Sequence, residues 1–569
     1  MTRGKEKTLV RIHEDAARPT PSYTALLGRI PFPLAMRPVR YLLLCLLLTT
    51  PLTAQRASGD WRDGGTCYEI FVRSFQDSDG DGIGDLNGLT SRLDYINDGN
   101  PKSTRSLGAR CIWLMPIFET PGYHGYDISD YYHVARVLGT NDDFKRFVAE
   151  AHKRGIVVLL DMVLNHASSE WPPFQDALKN PGSPYRSWFR FAPERGPNNR
   201  WGNNNWHKSP FRDEWYYGFF WQGMPDLNYE QPGALEEMKK VAAFWLNDMG
   251  ADGFRLDAVK YLVEDGAVVE DTKGTHRVLH DYAAFVRASK RGAFTIGEVF
   301  DSTGTLLSYY PDQLDAYFAF EIADSIIAGV RRGDGRGILA PVLRLQQSVP
   351  TDRFGLFLRN HDQPRTRTEF GGDWGKARAA ALLQFTLPGI PFVYYGEELG
   401  MSGPKPDELI RRPMAWSATA PHAGFTAGTP WQPLASDSAA TAVSTQDADS
   451  ASLLRWYRRL VRERAMSPAL AHGRLVPLRS GDSSVVAYLR VDRAQVALVI
   501  VNAAATAARD VVLPDLGSQL NRARAGALTR QFAAGVPPLA WRSTGVRAAS
   551  IAGTALPPNS GVVLFFRRR

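Results

Sequence analysis

Short apolar runs that alternate with helical segments constrain the fold more than any other feature of this sequence. Leu107–Pro116 and Gly155–Asp161 are apolar along nearly their whole length, and Asn141–Arg154 between them has helical spacing. Strands of this kind are typical of a parallel sheet that is buried on both faces. The pattern predicts a (β/α)₈ TIM barrel of the α/β class. Its eight predicted strands are Tyr68–Phe75, Leu107–Pro116, Gly155–Asp161, Gly253–Ala258, Ala293–Val299, Leu314–Phe318, Phe354–Arg359 and Pro391–Gly396.

Carboxylates lie at or near the ends of four predicted strands, where TIM barrels carry their active sites. They are Asp161, Asp257, Glu298 and Asp362. Because side chains alternate along a strand, Arg255 shares a face with Asp257 and can keep it ionised. Glu298 follows the apolar run Phe294–Gly297, and such a setting can raise its pKa and keep it protonated. An ionised carboxylate beside a protonated one suits acid–base and covalent chemistry on a glycosidic bond, whereas an isolated Arg–Asp pair would be structural.

Five motifs occur in an order that resembles the α-amylase family of glycoside hydrolases (family 13). They are Asp161-Met-Val-Leu-Asn-His166, Met224-Pro-Asp-Leu-Asn228, Gly253-Phe-Arg-Leu-Asp-Ala-Val-Lys-Tyr261, Gly297-Glu-Val299 and Asn360-His-Asp362. The resemblance runs from about residue 68 to the end and is greatest to secreted bacterial α-amylases intermediate between oligo-1,6-glucosidases and neopullulanases. It implies that Asp257 is the nucleophile, Glu298 the general acid/base and Asp362 the transition-state stabiliser.

The same resemblance implies a set of substrate-binding residues. Tyr126 is expected to stack under the −1 sugar, with Lys260 under the +1 and +2 sugars. Further contacts to sugar or to the nucleophile are expected from His124, His166, Arg255 and His361.

The chain divides into five predicted segments. Residues 1–54 form an N-terminal extension and signal peptide, 55–164 and 230–470 the two parts of the catalytic barrel, 165–229 an inserted domain B after strand 3, and 471–569 a C-terminal antiparallel β-sandwich. Domain B is rich in aromatic residues, some of which can stack on sugar rings although packing is the commoner role.

A calcium site is predicted in the loop after the first strand. Asp77-Ser-Asp-Gly-Asp-Gly-Ile-Gly-Asp85 places oxygen ligands at every second residue with glycine between them, as a loop that wraps a hard cation requires. The twelfth position is Gly88 rather than Glu, so the loop is not an EF-hand. The resemblance implies calcium held by Asp77, Asp79, Asp81, Asp85 and the carbonyl of Ile83. A solvated turn is the alternative, and a second calcium at Asn165 is left open.

The basic charge of the chain is concentrated at its beginning. The formal net charge is +8, and residues 1–40 hold eight Lys/Arg against three Asp/Glu, which leaves +3 for the rest. We therefore expect no nucleic-acid partner.

Arg37–Leu48 followed by Leu52-Thr-Ala54 reads as a secretory signal that is cleaved after Ala54. Its apolar run is shorter than the roughly 20 residues of a stable membrane span, although an uncleaved anchor is the alternative. We expect a secreted or periplasmic monomer without stable membrane insertion. Cys67 and Cys111 lie in apolar runs, which favours buried free thiols over a bridge.

Substrate choice depends on two positions near the predicted site. Tyr123 stands where related exo-acting α-glucosidases carry Asp, and Lys260 also follows the amylase pattern. Both favour retaining, endo-acting hydrolysis of α-1,4-glucosidic bonds in starch and maltooligosaccharides. Gln363-Pro-Arg365 is closer to the oligosaccharide-cleaving branch. The alternatives are therefore an α-glucosidase or maltooligosaccharide hydrolase, a 4-α-glucanotransferase, or a non-catalytic binding subunit.

Overall fold

The computed structural model describes residues 60–508, 511–534 and 555–569. The predicted signal peptide and the extension before it lie outside these residues. No helix of the described ranges combines the length and apolarity needed to cross a bilayer.

Eight parallel strands close into a barrel in which each strand pairs with its neighbours in the sequence order. The strands are β1 (Cys67–Ile70), β2 (Cys111–Leu114), β3 (Val157–Val163), β4 (Gly253–Asp257), β5 (Phe294–Gly297), β6 (Ala316–Phe318), β7 (Phe354–Leu356) and β8 (Ile390–Tyr394). The predicted (β/α)₈ barrel is confirmed. Most predicted strands ran too far, because the apolar sequence continues into buried loop residues such as Phe357 and Leu358 after β7.

Alternate side chains of each strand point into the barrel and form layers. Trp113, Phe318 and Phe392 belong to one buried apolar cluster with Cys67 and Cys111. Side chains on the other face of the strands, including Phe254 and Leu256 of β4, belong instead to the large core that contains the surrounding helices. Hydrophobic residues thus fill both faces of the strands, as the apolar runs predicted.

The prediction of free thiols at Cys67 and Cys111 is wrong, because the two residues form a disulfide. The register of β1 and β2 places Cys67 directly beside Cys111, and their Cα atoms are 4.2 Å apart. Apolar surroundings alone could not reveal this pairing, which depends on strand register.

Helices surround the barrel and extend its loops. They are Leu86–Ser91, Leu93–Ile96, Asn141–Lys153, Pro172–Lys179, Pro232–Ala243, Lys273–Ser289, Thr303–Leu307, Phe320–Arg332, Ala340–Leu345, Thr366–Glu369, Trp374–Thr386, Asp407–Ile410, Val443–Ala448, Leu453–Met466, Pro468–His472 and Leu516–Arg522. Asn141–Lys153 begins at a Thr140 capping box and buries Phe144, Phe147, Val148 and Ala151 on one face, which explains why its sequence pattern was readable.

The predicted domain B insertion leaves the barrel after β3. It contains helix Pro172–Lys179 and a small antiparallel sheet of Phe191–Ala192, Trp215–Tyr217 and Trp206–Lys208. It returns to the barrel through helix Pro232–Ala243. A two-stranded ribbon of Phe118–Glu119 and Asp130–Val134 follows β2.

The carboxyl-terminal region forms one antiparallel sheet in its described residues. Its strands are β9 (Arg474–Leu478), β10 (Val485–Val491), β11 (Gln495–Asn502), β12 (Ala525–Ala534) and β13 (Ser560–Arg568), in the order β9-β10-β11-β13-β12. The predicted sandwich has no second sheet there. One face packs in the barrel core through Tyr488 and Val499, and the other packs on helix Leu516–Arg522. Both faces are therefore covered without a second sheet.

Candidate active site

A cavity of about 410 Å³ lies at the carboxyl ends of the barrel strands. It is lined by all three predicted catalytic residues and by four of the predicted substrate-binding residues. The lining residues are Tyr123, His124, Tyr126, His166, Phe220, Met224, Asp257, Ala258, Lys260, Tyr261, Glu298, Phe300, Asp362, Asp407 and Arg411.

Arg255 joins the carboxylates beneath this cavity. It is 1% exposed, and its Nη1 lies 2.7 Å from both Asp161 Oδ1 and Asp257 Oδ1, while Nη2 lies 2.5 Å from Glu298 Oε2. Register places Arg255 beside Asp161 on β3 and beside Ile296 on β5, so the barrel itself brings these groups together. One guanidinium therefore orients both the predicted nucleophile and the predicted acid.

The chain turns sharply directly after Asp257, the predicted nucleophile. β4 ends at Asp257, and Ala258 has φ +47°, a left-handed conformation that is unfavourable for alanine. Its amide donates to Glu298 Oε2 at 3.3 Å. Arg255 and Asp257 lie two residues apart on β4, as the sequence predicted, and the 3₁₀ turn Val259–Tyr261 follows directly.

Burial gives the two facing carboxyls unusual acidities. Desolvation raises the pKa of Glu298 to about 7, against the opposing effect of Arg255 and with reinforcement from the negative charges of Asp257 and Asp362. The same cause raises the pKa of Asp257 to about 6, although Arg255 opposes it. Glu298 thus keeps its proton to a higher pH than Asp257, the order that a general acid and a nucleophile require.

These pKa values predict a bell-shaped pH profile for kcat/KM. The active form needs an ionised Asp257 and a protonated Glu298. Activity should therefore rise as pH passes about 6 and fall as it passes about 7. Initial rates on a maltooligosaccharide at low concentration measure this profile. A plateau that extends well above pH 8 would contradict the protonated state assigned to Glu298.

Asp362 lies between two cations. His361 Nε2 is 3.1 Å from its Oδ2 and Arg411 Nη2 is 2.8 Å from its Oδ1. Desolvation raises the pKa of Asp362, but these cations outweigh it and hold the pKa well below its ordinary value. Asp362 is therefore an ionised carboxylate at the cavity, as a group that stabilises positive charge must be.

His361 is held as a cation by acids on either side. Burial lowers its pKa, but Asp362 and Glu69 raise it to about 10. Nδ1 lies 2.5 Å from Glu69 Oε1, and Tyr126 Oη lies 2.5 Å from Nε2. Because the cationic His361 is a donor at Nε2, the Tyr126 hydroxyl can donate its own proton to Asp161 Oδ2 at 3.1 Å. Its ring stacks on His361 with a 13° interplanar angle, so the ring is fixed in place.

His124 and His166 both line the cavity. His166 is buried, which lowers its pKa to about 3 and keeps it neutral. Its Nε2 lies 3.2 Å from the carbonyl oxygen of Tyr126. His124 Nδ1 accepts from the amide of Tyr126 at 3.1 Å, which leaves the other ring nitrogen free of a partner among the described residues. Neutral imidazoles of this kind can bond sugar hydroxyls.

Lys260 lines the cavity as predicted, but its ammonium group is surrounded by acids. The side chain is 5% exposed, and Nζ lies 2.6 Å from Asp301, 3.1 Å from Glu270 and 3.9 Å from Asp271. These carboxylates lie within 4.8 Å of one another. The first role of Lys260 is therefore to neutralise them, and its contact with the +1 and +2 sugars stays a prediction.

Replacing Lys260 by Ala should lower both stability and long-chain activity. Loss of the cation leaves three adjacent acids without their partner, which should cost about 1–3 kcal/mol of unfolding free energy. We expect kcat/KM on starch to fall by about 10-fold or more, the order of one charge-assisted hydrogen bond. Urea unfolding and parallel assays on starch and a short aryl maltoside measure these effects. Lys260→Arg is the charge-conserving control, and equal stability of the Ala variant and wild type would contradict this role.

The Asp-rich loop brings together three of its four aspartates. Asp77, Asp79 and Asp85 each bring one carboxylate oxygen within 4.8 Å of the other two. Asp81 is outside this group, and its carboxylate accepts from the amide of Ile83 at 2.7 Å. Gly82 has φ +94°, and a Cβ there would lie 1.9 Å from the carbonyl oxygen of Thr429. Glycine is therefore required at this turn.

Three site residues were not identified from the sequence. Arg411 bonds Asp362, Glu69 bonds His361, and Trp113 donates to Asp161 at 3.2 Å. Glu69 and Trp113 could have been identified from the sequence, because each places a polar group on the inward face of an otherwise apolar strand. Arg411 lies in a loop after β8 and gave no such signal.

Comparison with known proteins agrees with this geometry. The family model for the alpha-amylase catalytic domain matches residues 69–473. Alpha-amylase 3 of Dictyoglomus thermophilum is 38% identical over 456 residues, which cover 79% of this chain and 87% of that protein. The trehalose synthase/amylase of Mycolicibacterium smegmatis is 33% identical, covering 76% of this chain and 80% of that protein.

A solved structure and a further relative have similar levels of sequence identity to this chain. The crystal structure of an alpha-amylase from H. orenii has a TM-score of 0.78 and 34% identity, covering 89% of this chain and all of that one. An oligo-1,6-glucosidase of Parageobacillus thermoglucosidasius is 30% identical, covering 78% of this chain and 90% of that protein. With its barrel, its carboxylate site and these similarities, the chain belongs to the α-amylase family of glycoside hydrolases and is an enzyme that acts on α-glucans.

Proposed function

We propose that this enzyme is an α-amylase, which hydrolyses internal α-1,4-glucosidic bonds of starch and maltooligosaccharides with retention of configuration. Asp257 attacks the anomeric carbon while Glu298 protonates the leaving oxygen, and a covalent glycosyl-enzyme forms. Glu298 then deprotonates the water that releases the sugar. Asp362 balances the positive charge that develops on the sugar ring.

The observation that carries the endo-acting proposal is the environment of Tyr123. Arg411 uses Nη2 for Asp362 at 2.8 Å and Asp407 at 3.1 Å, and its guanidinium lies 5.8 Å from the Tyr123 ring. Tyr123 itself stacks on Trp431 at 5.5 Å between ring centroids. An aromatic surface thus replaces the acid of the exo-acting relatives, and such surfaces suit a sugar chain that continues past the cleaved unit.

The proposal is tested by following starch viscosity and reducing ends together. An endo-acting enzyme lowers viscosity long before many reducing ends appear. Tyr123→Asp should pair with Arg411 and reduce kcat/KM on starch about 10-fold relative to maltotriose, while Tyr123→Phe keeps the aromatic surface and serves as control. Release of glucose alone, with viscosity falling only as reducing ends appear, would favour the α-glucosidase alternative.

Transglycosylation is a second candidate activity, favoured by two exposed aromatic side chains at the cavity. Phe220 is 46% exposed and Phe300 is 60% exposed. Exposed rings can bind an acceptor sugar, which then competes with water for the glycosyl-enzyme. Products longer than the supplied maltooligosaccharide would identify a glucanotransferase, and their absence at high substrate concentration would exclude it.

Calcium is the proposed ligand of the Asp-rich loop. Its carboxylate oxygens and glycine turns suit a hard cation, with Asp77, Asp79 and Asp85 as the first candidates and Asp81 and the Ile83 carbonyl as further ones. The loop also supports the active site. The amide of Trp431, which stacks on Tyr123, donates to the carbonyl of Gly82 at 2.9 Å, and Asp77 accepts from the Thr426 hydroxyl. Bound calcium would thus stabilise one side of the cleft without taking part in chemistry.

Chelation is therefore expected to lower the melting temperature. Calcium at 100 times its Kd stabilises the folded state by about 2.7 kcal/mol, if the unfolded chain does not bind it. Calorimetry in EDTA, and again after calcium is restored, measures the change in melting temperature. In the Asp77→Asn variant, the melting temperature should no longer depend on calcium. Asp281→Asn, on the exposed surface of helix Lys273–Ser289, is the matched control. An unchanged melting temperature in EDTA would contradict the site.

A second calcium at Asn165 also remains a proposal. Asn165 Oδ1 and Asp226 Oδ2 are both buried, and neither has a hydrogen-bond donor among the described residues. Buried acceptor oxygens of this kind suit a cation.

We further propose that the enzyme is secreted or periplasmic. The Cys67–Cys111 disulfide is typical of an oxidising compartment and supports the signal peptide predicted in residues 1–54.

A further inference from the structure

A second cavity, of about 420 Å³, lies where two barrel helices meet the end of the carboxyl-terminal chain. It is formed by Trp374–Thr386, Leu453–Met466 and the residues before β13. It shares no lining residue with the catalytic cavity.

Three arginines line this cavity: Arg378, Arg455 and Arg459. None of them forms an ion pair within the described part of the chain. Arg378 donates through Nη2 to the carbonyl of Ala451, and Arg455 through Nη2 to that of Asp447 at 2.6 Å. Each guanidinium has five N–H donors, and the buried Nε atoms of Arg378 and Arg455 have no hydrogen-bond partner among the described residues.

Nearby acids do not neutralise the three arginines. Asp447 pairs with Arg458, Glu463 pairs with Arg530, and Asp373 caps helix Trp374–Thr386. Asp449 is exposed and attracts Arg378 from beyond ion-pair distance. Residues 535–554, which lie outside the described ranges, contain no Asp or Glu. Among the described residues, therefore, no carboxylate forms an ion pair with this cationic lining.

Tryptophan often stacks on sugars, but the ring of Trp456 is not available for such stacking in this cavity. Its side chain is 5% exposed. It stacks on Phe532 at 5.1 Å and 12°, and the guanidinium of Arg459 lies 5.6 Å from its ring. No open aromatic face is left for a pyranose ring, whereas Arg459 is held in place by Trp456 and Phe532.

We propose that this cavity binds a phosphate-type oxyanion, either free phosphate or the phosphate ester of a sugar. Guanidinium groups recognise the oxygens of such anions through paired hydrogen bonds. Three guanidinium groups line this one cavity without an ion-pair partner among the described residues, and a dianion would supply the missing negative charge. The volume accommodates a hexose phosphate as well as the free ion. Binding here should stabilise the contact between barrel and carboxyl-terminal sheet.

Isothermal titration of the full-length protein with inorganic phosphate, at constant ionic strength set by sodium chloride, tests this proposal. We expect saturable binding and a raised melting temperature in phosphate. Arg455→Gln and the exposed Arg459→Gln should each weaken the binding about 10-fold, and Arg277→Gln, exposed on helix Lys273–Ser289, should leave it unchanged. None of these variants should alter starch hydrolysis, so the result is independent of the proposed activity.

Glucose 6-phosphate and glucose are titrated in parallel to identify the source of the anion. Tighter binding of the sugar phosphate than of phosphate would assign an ester ligand, and equal binding a free oxyanion. No saturable binding of either anion to wild type, or equal binding by wild type and both cavity variants, would overturn the proposal.

Discussion

Replacing Asp257 by Asn is expected to lower kcat on starch by about 10⁴-fold or more while KM changes little. The amide has nearly the same shape and can keep a hydrogen bond near Arg255, so the substrate should still bind. It cannot form a covalent bond to the anomeric carbon, because the attacking oxygen has lost its negative charge. The loss should therefore appear in kcat and not in the melting temperature.

Two measurements separate this effect from a structural one. Calorimetry should show a folded Asp257→Asn variant with a melting temperature close to that of wild type. The exposed Asp281→Asn variant, which makes the same chemical change outside the cavity, should keep full activity. An Asp257→Asn enzyme that retains more than about 1% of wild-type kcat would show that another group is the nucleophile.

Replacing Glu298 by Gln is expected to impair the cleavage of starch far more than that of an activated substrate. The sugar leaving group of starch needs a proton from Glu298, and general acid catalysis of this kind contributes about 10²–10⁴-fold. In an aryl maltoside, an acidic phenol can leave as the phenolate without that proton, so cleavage of this first bond should be slowed much less. Glu298→Gln should also remove the decline of kcat/KM above about pH 7 that the raised pKa of Glu298 predicts.

Pre-steady-state kinetics on the two substrates measures this difference. Release of the phenol should be rapid in the Glu298→Gln variant, followed by slow turnover, because Glu298 also activates the water of the second step. Glu298→Asp, which keeps a carboxyl on a shorter side chain, is the control. Equal losses on starch and on the aryl maltoside would assign Glu298 a role other than acid catalysis.

Local sequence patterns were sufficient to predict the barrel, and the three carboxylates whose catalytic roles the family resemblance implies line one cavity. Each strand is a short apolar run, and Asp257, Glu298 and Asp362 lie at the ends of such runs or a few residues beyond them. Arg255 was recognisable because a strand places it two residues from Asp257 on one face. These features depend on interactions within one strand or one turn.

Features that depend on distant contacts were missed or misread. The Cys67–Cys111 disulfide follows from the register of two strands, and Arg411 reaches Asp362 from a loop 49 residues away in the sequence. Lys260 lines the cavity as predicted, but its ion pairs with Asp301 and Glu270 were missed because these acids lie in separate loops. The carboxyl-terminal strands were readable, yet whether their sheet packs on a second sheet or on helices depends on the rest of the fold.

The configuration of the first product tests the central claim most directly, because it depends on how Asp257 and Glu298 are arranged around the bond. In retaining glycosidases the two carboxyl groups are about 5–5.5 Å apart, whereas inverting enzymes separate them by about 6.5–9.5 Å to admit water. Here one guanidinium contacts both, with Nη1 at 2.7 Å from Asp257 and Nη2 at 2.5 Å from Glu298. Proton NMR of maltoheptaose hydrolysis, recorded before mutarotation, should show new reducing ends in the α configuration. Initial β-configured ends would contradict the covalent mechanism and the role assigned to Asp257.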